Sequence, residues 1–118
     1  MKARKILIVD DDVFIIGAME KILQSCNYEV SSCDRGEQAL ERLRQKFFDI
    51  LITDFRMPEM DGLELIRRAR IIQPGIQAIL VTSCPIVGTK CKVHEEKLSG
   101  FLLKPINWDE LKALLATL

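Results

Sequence analysis

The sequence predicts a doubly wound α/β domain, (βα)5, with a parallel sheet in the strand order 2-1-3-4-5. Three observations carry this. Short apolar runs, rich in Ile and Val, alternate along the chain with stretches of helical period. Three helical stretches open on Asp/Asn-x-x-Glu: Asp34 with Glu37, Asp61 with Glu64, and Asn107 with Glu110. There the cap oxygen takes an orphan backbone N–H and the Glu can reach back. Finally, four apolar runs end in polar side chains: Asp10-Asp11 after Ile6–Val9, Asp54 after Ile50–Thr53, Thr82 after Ile79–Val81, and Lys104 after Phe101–Leu103. Parallel strands with right-handed crossovers bring all of these to one sheet edge.

The run at residues 5–9 is too short for a helix and reads as a buried strand. Residues 13–26 follow as a helix capped by Asp12, with Phe14, Ala18, Ile22 and Cys26 on the buried face, widened by Ile15, Met19 and Leu23. Tyr28 to Cys33 alternates as an edge strand does. The helix opening at Asp34 buries Ala39, Leu40, Leu43 and Phe47. Strand 49–54 leads through the turn-rich Pro58-Glu59-Met60-Asp61-Gly62 into a helix over about 62–72, stopped by Pro74-Gly75, and then into strand 77–82. The stretch 84–99 is poorly patterned: Gly88 and its β-branched neighbours weaken helix propagation. A short, late-starting or mobile fourth helix is expected there. Strand 100–103 and a last helix carrying Leu111, Leu114, Leu115 and Leu118 complete the series.

With 118 residues, 48% apolar and 29% charged, the chain is expected to form one domain, 1–118, with a real core. Lys and Arg balance Asp and Glu at 17 each, so no net field favours nucleic acid or an anionic membrane. The basic run Lys2–Lys5 reads as a solvated terminus, and Arg67-Arg68-Ala69-Arg70 as a helix end where cations complement the dipole. No membrane span or signal-peptide core is evident, and a cytoplasmic location is expected. The four cysteines show no zinc spacing; reduced thiols are expected, with Cys26 and Cys33 as small core residues.

The strand-end residues form a chemical set. Two carboxylates about 4 Å apart repel by roughly 4 kcal/mol at an effective dielectric of 20. Either their pKa values rise or a cation compensates. Mg2+ suits hard oxygen ligands, and no nearby His or Cys argues for zinc. Asp in turns and caps explains a residue such as Asp12. It does not explain Asp10, Asp11 and Asp54 all following buried strands, with Thr82 and Lys104 completing the ring. Such a crevice can accept a phosphoryl group: Asp54, central beside the acidic pair, is the best nucleophile. Mg2+ and Lys104 would neutralise the phosphoryl oxygens while Thr82 donates a hydrogen bond.

The chain resembles, along its whole length, the response-regulator receiver domains of two-component signalling. The matching segments are Ile6–Asp11, Asp49–Asp54 with Met57-Pro58-Glu59-Met60-Asp61-Gly62, Val81-Thr82-Ser83, and Gly100–Pro105. The flavodoxin-like strand order is that of this family. The resemblance implies that Asp54 receives a phosphoryl group from a phosphohistidine on a sensor histidine kinase or histidine phosphotransfer protein. It implies that Asp11 and Asp54 bind Mg2+ directly with the Arg56 carbonyl, Asp10 acting largely through water. It further implies that Thr82 and Lys104 contact the phosphoryl group, that Lys104-Pro105 is cis, and that Phe101 is the switch aromatic. On phosphorylation Thr82 would move inward and Phe101 would turn into the vacated space, altering the face of the fourth helix, fifth strand and fifth helix. Dimerisation through that face is compatible with the sequence.

Departures and rivals are equally legible. Arg56 and Cys84 lie two residues beyond Asp54 and Thr82, bordering the phosphoryl position by the same resemblance; Arg56 is read either as a tuner of dephosphorylation or as an exposed loop residue. His94 reads as solvated rather than as a phosphoryl donor. A haloacid-dehalogenase-like phosphatase would use Asp10 as nucleophile, but Phe14 stands where that family carries Thr or Val, and its late acidic pair is missing. A phosphorylation-independent interaction domain is the other alternative, against which the complete site residues argue.

Overall fold

Continuous apolar strands can be buried on both faces only if helices cover both, and the chain does this. The computed structural model describes residues 3–83 and 97–118. Its elements are β1 (Lys5–Val9), α1 (Val13–Ser25), β2 (Glu29–Cys33), α2 (Gly36–Gln45), β3 (Ile50–Asp54), α3 (Gly62–Ile72), β4 (Gln77–Thr82), β5 (Gly100–Leu103) and a C-terminal helix (Trp108–Ala116). All strand pairs are parallel, in the order β2-β1-β3-β4-β5. The expected fourth helix, together with Cys84, Cys91 and His94, lies outside the described residues.

Strand alternation divides the core in two. Leu7, Val9, Leu51, Ala78 and Leu80 point to the α2–α3 side, where they meet Ala39, Leu40, Leu43, Leu63, Ile66 and Ala69. Ile6, Ile8, Ile50, Ile52, Ile79 and Val81 point the other way, to Met19 and Leu23 of α1 and Leu111 and Leu115 of the C-terminal helix.

Three capping expectations hold and one fails. Asp61 accepts from Glu64 N at 2.8 Å and Asn107 from Glu110 N at 3.1 Å. Asp12 caps α1 through Phe14 N at 2.9 Å. Asp34 caps nothing: α2 begins one residue later, Arg35 is its N-cap without a side-chain bond, and Asp34 pairs with Arg35 instead. The α2 start answers to packing, since a Cβ on Gly36 would lie 2.9 Å from Met60 Sδ.

The expected α1 face is about one residue out of phase. Ile15, Ile16, Met19 and Leu23 face the core, whereas Phe14 is 85% exposed and Cys26 is also exposed. The tight Asp10–Asp12 connection sets the rotation of the helix, and the i, i+4 pattern from Phe14 does not register it. Phe47 is likewise exposed and Phe48 is the buried aromatic, because α2 ends at Gln45 and the chain is extended at Lys46 (φ −146°, ψ 145°). Helical phase no longer applies beyond that point.

Of the cysteines expected in the core, only Cys33 is buried. Burial pushes its thiol up to about 11, partly opposed by the Arg42 charge. At pH 8 that lowers the thiolate fraction about 100-fold relative to an ordinary thiol. Alkylation of the native protein is therefore expected to modify Cys26 and spare Cys33 until denaturant is added. Peptide mass mapping checks this; equal modification rates would contradict the burial.

Candidate functional site

The polar residues at the C-terminal ends of the strands are brought together by the sheet. Asp10 follows β1, and its backbone N–H donates to Cys33 O at 3.3 Å. Asp54 closes β3, Thr82 closes β4, and Lys104 follows β5, its N–H donating to Thr82 O at 2.8 Å. Asp10, Asp54 and Thr82 are buried and Asp11 is exposed at the mouth. Ligand oxygens of Asp10, Asp11 and Asp54 lie within 4.8 Å of one another.

One ammonium serves two carboxylates. Lys104 Nζ donates to Asp10 Oδ2 at 2.9 Å and stands 3.5 Å from Asp54 Oδ1. Asp10 Oδ1 accepts from Asp12 N at 2.9 Å, so both Asp10 oxygens are engaged. Asp54 Oδ2 has no such donor among the described residues.

Burial raises the Asp54 pKa above the ordinary carboxylate value and the Asp10 charge adds to this; Lys104 pulls it back and Asp11 adds a further upward push. Burial alone would lower the Lys104 pKa, but its hydrogen bond to Asp10 and the charges of Asp10 and Asp54 outweigh that and raise it. Among the described residues, three carboxylates against one ammonium leave the crevice short of positive charge. A small hard cation fits this donor set, which offers only oxygen and is open at Asp11.

The supporting backbone includes residues that sequence patterning did not single out. Phe55 N donates to Val81 O at 2.8 Å, and Gly62 N to Phe55 O at 2.7 Å, pinning the start of α3 to the end of β3. A Cβ on Gly62 would lie 2.3 Å from Asp54 O. The buried Thr53 hydroxyl donates to the same carbonyl at 2.9 Å. The one available signal was a glycine at the first position of a helix, where its propensity is poor. Lys104-Pro105 is cis. Phe101 is half-buried against the α2–α3 side of the core, and Arg56 is exposed on the loop after Asp54.

The family described as response regulator receiver domain matches residues 6–116. The chain is 33% identical over 111 residues to the transcriptional regulatory protein ZraR of Klebsiella oxytoca, covering 94% of this chain and 25% of that protein. It is 34% identical over 108 residues to the response regulator receiver protein CpdR of Brucella abortus, covering 92% of this chain and 90% of that one. The solved receiver domain protein (CheY-like) from Methanospirillum hungatei JF-1 superposes with a TM-score of 0.92 at 28% identity, covering 98% of this chain and 92% of that chain. The chain thus spans about a quarter of the length of ZraR, and nearly all of CpdR.

Proposed function

This chain belongs to the response regulator receiver domain family, and from that premise we propose that Asp54 accepts a phosphoryl group from a phosphohistidine on a sensor kinase or histidine phosphotransfer protein. The observation that carries the choice of Asp54 is the asymmetry between the two buried carboxylates. Asp10 has both oxygens committed, whereas Asp54 keeps one oxygen without a donor among the described residues while Lys104 stands beside the other. A carboxylate so placed can attack phosphorus: a new O–P bond forms, the P–N bond of the donor breaks, and the imidazole leaves with the electron pair.

Lys104 then shares its charge with a phosphoryl oxygen, and Thr82, at the end of the neighbouring strand, supplies a hydroxyl donor. Asp10, Asp11 and Asp54, with the Arg56 carbonyl, are the residues that would hold Mg2+, which when bound supplies positive charge against the phosphoryl oxygens. Movement of Thr82 and Phe101 is read as the switch, and β5 and the C-terminal helix form the described part of the face that responds. A protein donor is supported by the apolar lip beside the crevice: Val13 and Phe14 are exposed, and a groove of about 220 Å³ is lined by Ile15, Pro105, Ile106 and Trp108 with Lys104. Residues 1–118 are read as one receiver domain in the cytoplasm. Its role is that of a signalling domain rather than a conventional enzyme. No described helix is long and apolar enough to cross a membrane.

Incubation with radiolabelled acetyl phosphate tests this reading. Label is expected at one carboxyl, only with Mg2+ present, and is lost in Asp54→Asn. Label at Asp10 would establish the phosphatase chemistry instead, and no label at all would favour an interaction domain that works without phosphorylation.

A further inference from the structure

β2 keeps one edge open. Glu29 N donates to Arg4 O at 2.9 Å and Cys33 O accepts from Asp10 N at 3.3 Å, so residues 29, 31 and 33 turn their backbone groups toward β1. By alternation Val30 and Ser32 turn theirs outward, and these have no hydrogen-bond partner among the described residues. Edge strands are commonly blunted by charge, proline or a covering segment. The stretch Val30-Ser31-Ser32-Cys33 carries neither charge nor proline.

Beside this edge runs a groove of about 260 Å³ lined by Ser31, Arg42, Gln45, Lys46 and Phe48. Arg42 stands in the last turn of α2 and Lys46 directly after its end at Gln45, so both cations border the same groove. Lys46 Nζ lies 5.8 Å from the Phe48 ring centroid, and neither cation has a carboxylate partner among the described residues. Other arginines of these helices are paired: Arg44 with Glu41 at 3.1 Å, and Arg67 and Arg68 with Glu64 at 3.5 and 3.0 Å. The helix dipole favours cations at this end. It gives no reason for two of them to border an unpaired strand. The opposite flank of β2 has the other sign, since Glu20 accepts from the Ser32 hydroxyl at 2.7 Å.

We propose that the open edge of β2 takes up an extended acidic segment of a partner protein as an added strand, with its carboxylates on Arg42 and Lys46. Val30 and Ser32 supply the main-chain hydrogen bonds, and the two-residue period of a strand supplies selectivity. Alternate side chains of the guest face the α2 flank and are acidic; those between them face Glu20 and are neutral or basic. A second copy of this chain suits the edge poorly, because its own Arg42 and Lys46 would meet the first pair.

The test uses the full chain, uniformly labelled with 15N, and a capped peptide of alternating Thr and Glu, with its Thr-Lys counterpart as control. The acidic peptide at millimolar concentration is expected to slow amide exchange at Val30 and Ser32 and to shift the Arg42 side-chain resonance. Arg42→Gln with Lys46→Gln is expected to weaken binding about tenfold or more. Both side chains are exposed, so that variant retains the fold. The proposal is overturned by unchanged exchange at both amides, by equal binding of the lysine peptide, or by binding that ignores the double substitution. Protection that grows with protein concentration alone would identify a second copy as the occupant and overturn it as well.

Discussion

Gly62→Ala is expected to destabilise the protein by about 3 kcal/mol, the upper end of what overpacking costs. The usual expectation has the opposite sign, because alanine replacing glycine inside a helix stabilises it by roughly 0.5–1 kcal/mol. Geometry reverses it here. The added methyl would sit 2.3 Å from Asp54 O and 2.9 Å from Leu80 Cδ1, and the first of these is backbone in the middle of the sheet. Relief requires α3 to back away from β3, which breaks the 2.7 Å bond from Gly62 N to Phe55 O. No described glycine has positive φ, Gly62 included, so the requirement is for space alone. Gly17→Ala is the internal control: nothing lies within 4 Å of its added Cβ, and stabilisation is expected. Urea unfolding with a constant slope measures both variants, and a stable Gly62→Ala protein would refute the close approach. The same shift would carry Asp54 with it, so phosphoryl uptake is expected to fall alongside stability.

The second large effect belongs to Lys104→Met. Phosphoryl uptake from acetyl phosphate is expected to fall by roughly 10²–10³, the scale of removing one well-placed electrostatic stabiliser. Stability at neutral pH is expected to fall by roughly 1–3 kcal/mol, since Asp10 and Asp54 are left without their donor. The loss should depend on pH in a defined direction. In the native protein the Asp54 pKa is raised, so this group makes folding less favourable as pH rises from its ordinary value of 3.8 through its folded value. Removing Lys104 removes the influence that holds this pKa down, and the window extends upward. Lys104 itself, raised in the folded state, contributes stability that is present below 10.5 and lost as pH rises through its folded value. The deficit of the variant should therefore be smaller at pH 5 than at pH 8, where protons no longer stand in for the ammonium. An equal deficit at both would exclude the shared ion pair as its source.

The strands were legible because burial on both faces leaves short apolar runs that nothing else explains. Two of the three Asp/Asn-x-x-Glu starts held because their cap and first helical turn are local in sequence. The convergence of Asp10, Asp11, Asp54, Thr82 and Lys104 followed from topology once parallel order was inferred. What failed depended on angles and distances with no periodic signature. The rotation of α1 is set by three residues of loop, which takes Phe14 out of the core and makes Met19 and Leu23, at the margin of the expected face, its buried centre. The end of α2 two residues before Phe47 makes Phe48 the core aromatic. The Asp54–Gly62 approach joins residues whose packing is visible only when β3 and α3 are placed together.

The two ends of the sheet divide the labour of the chain. Every residue of the crevice lies where a strand runs out, while the returns from helix to strand lie at the far end, among them Pro74-Gly75, where an added Cβ on Gly75 meets nothing within 4 Å. A reporter dye or a grafted loop placed there communicates with Asp54 only through the length of β4 and its neighbours. That end is open to engineering, and to evolutionary drift, without renegotiating the chemistry at the other.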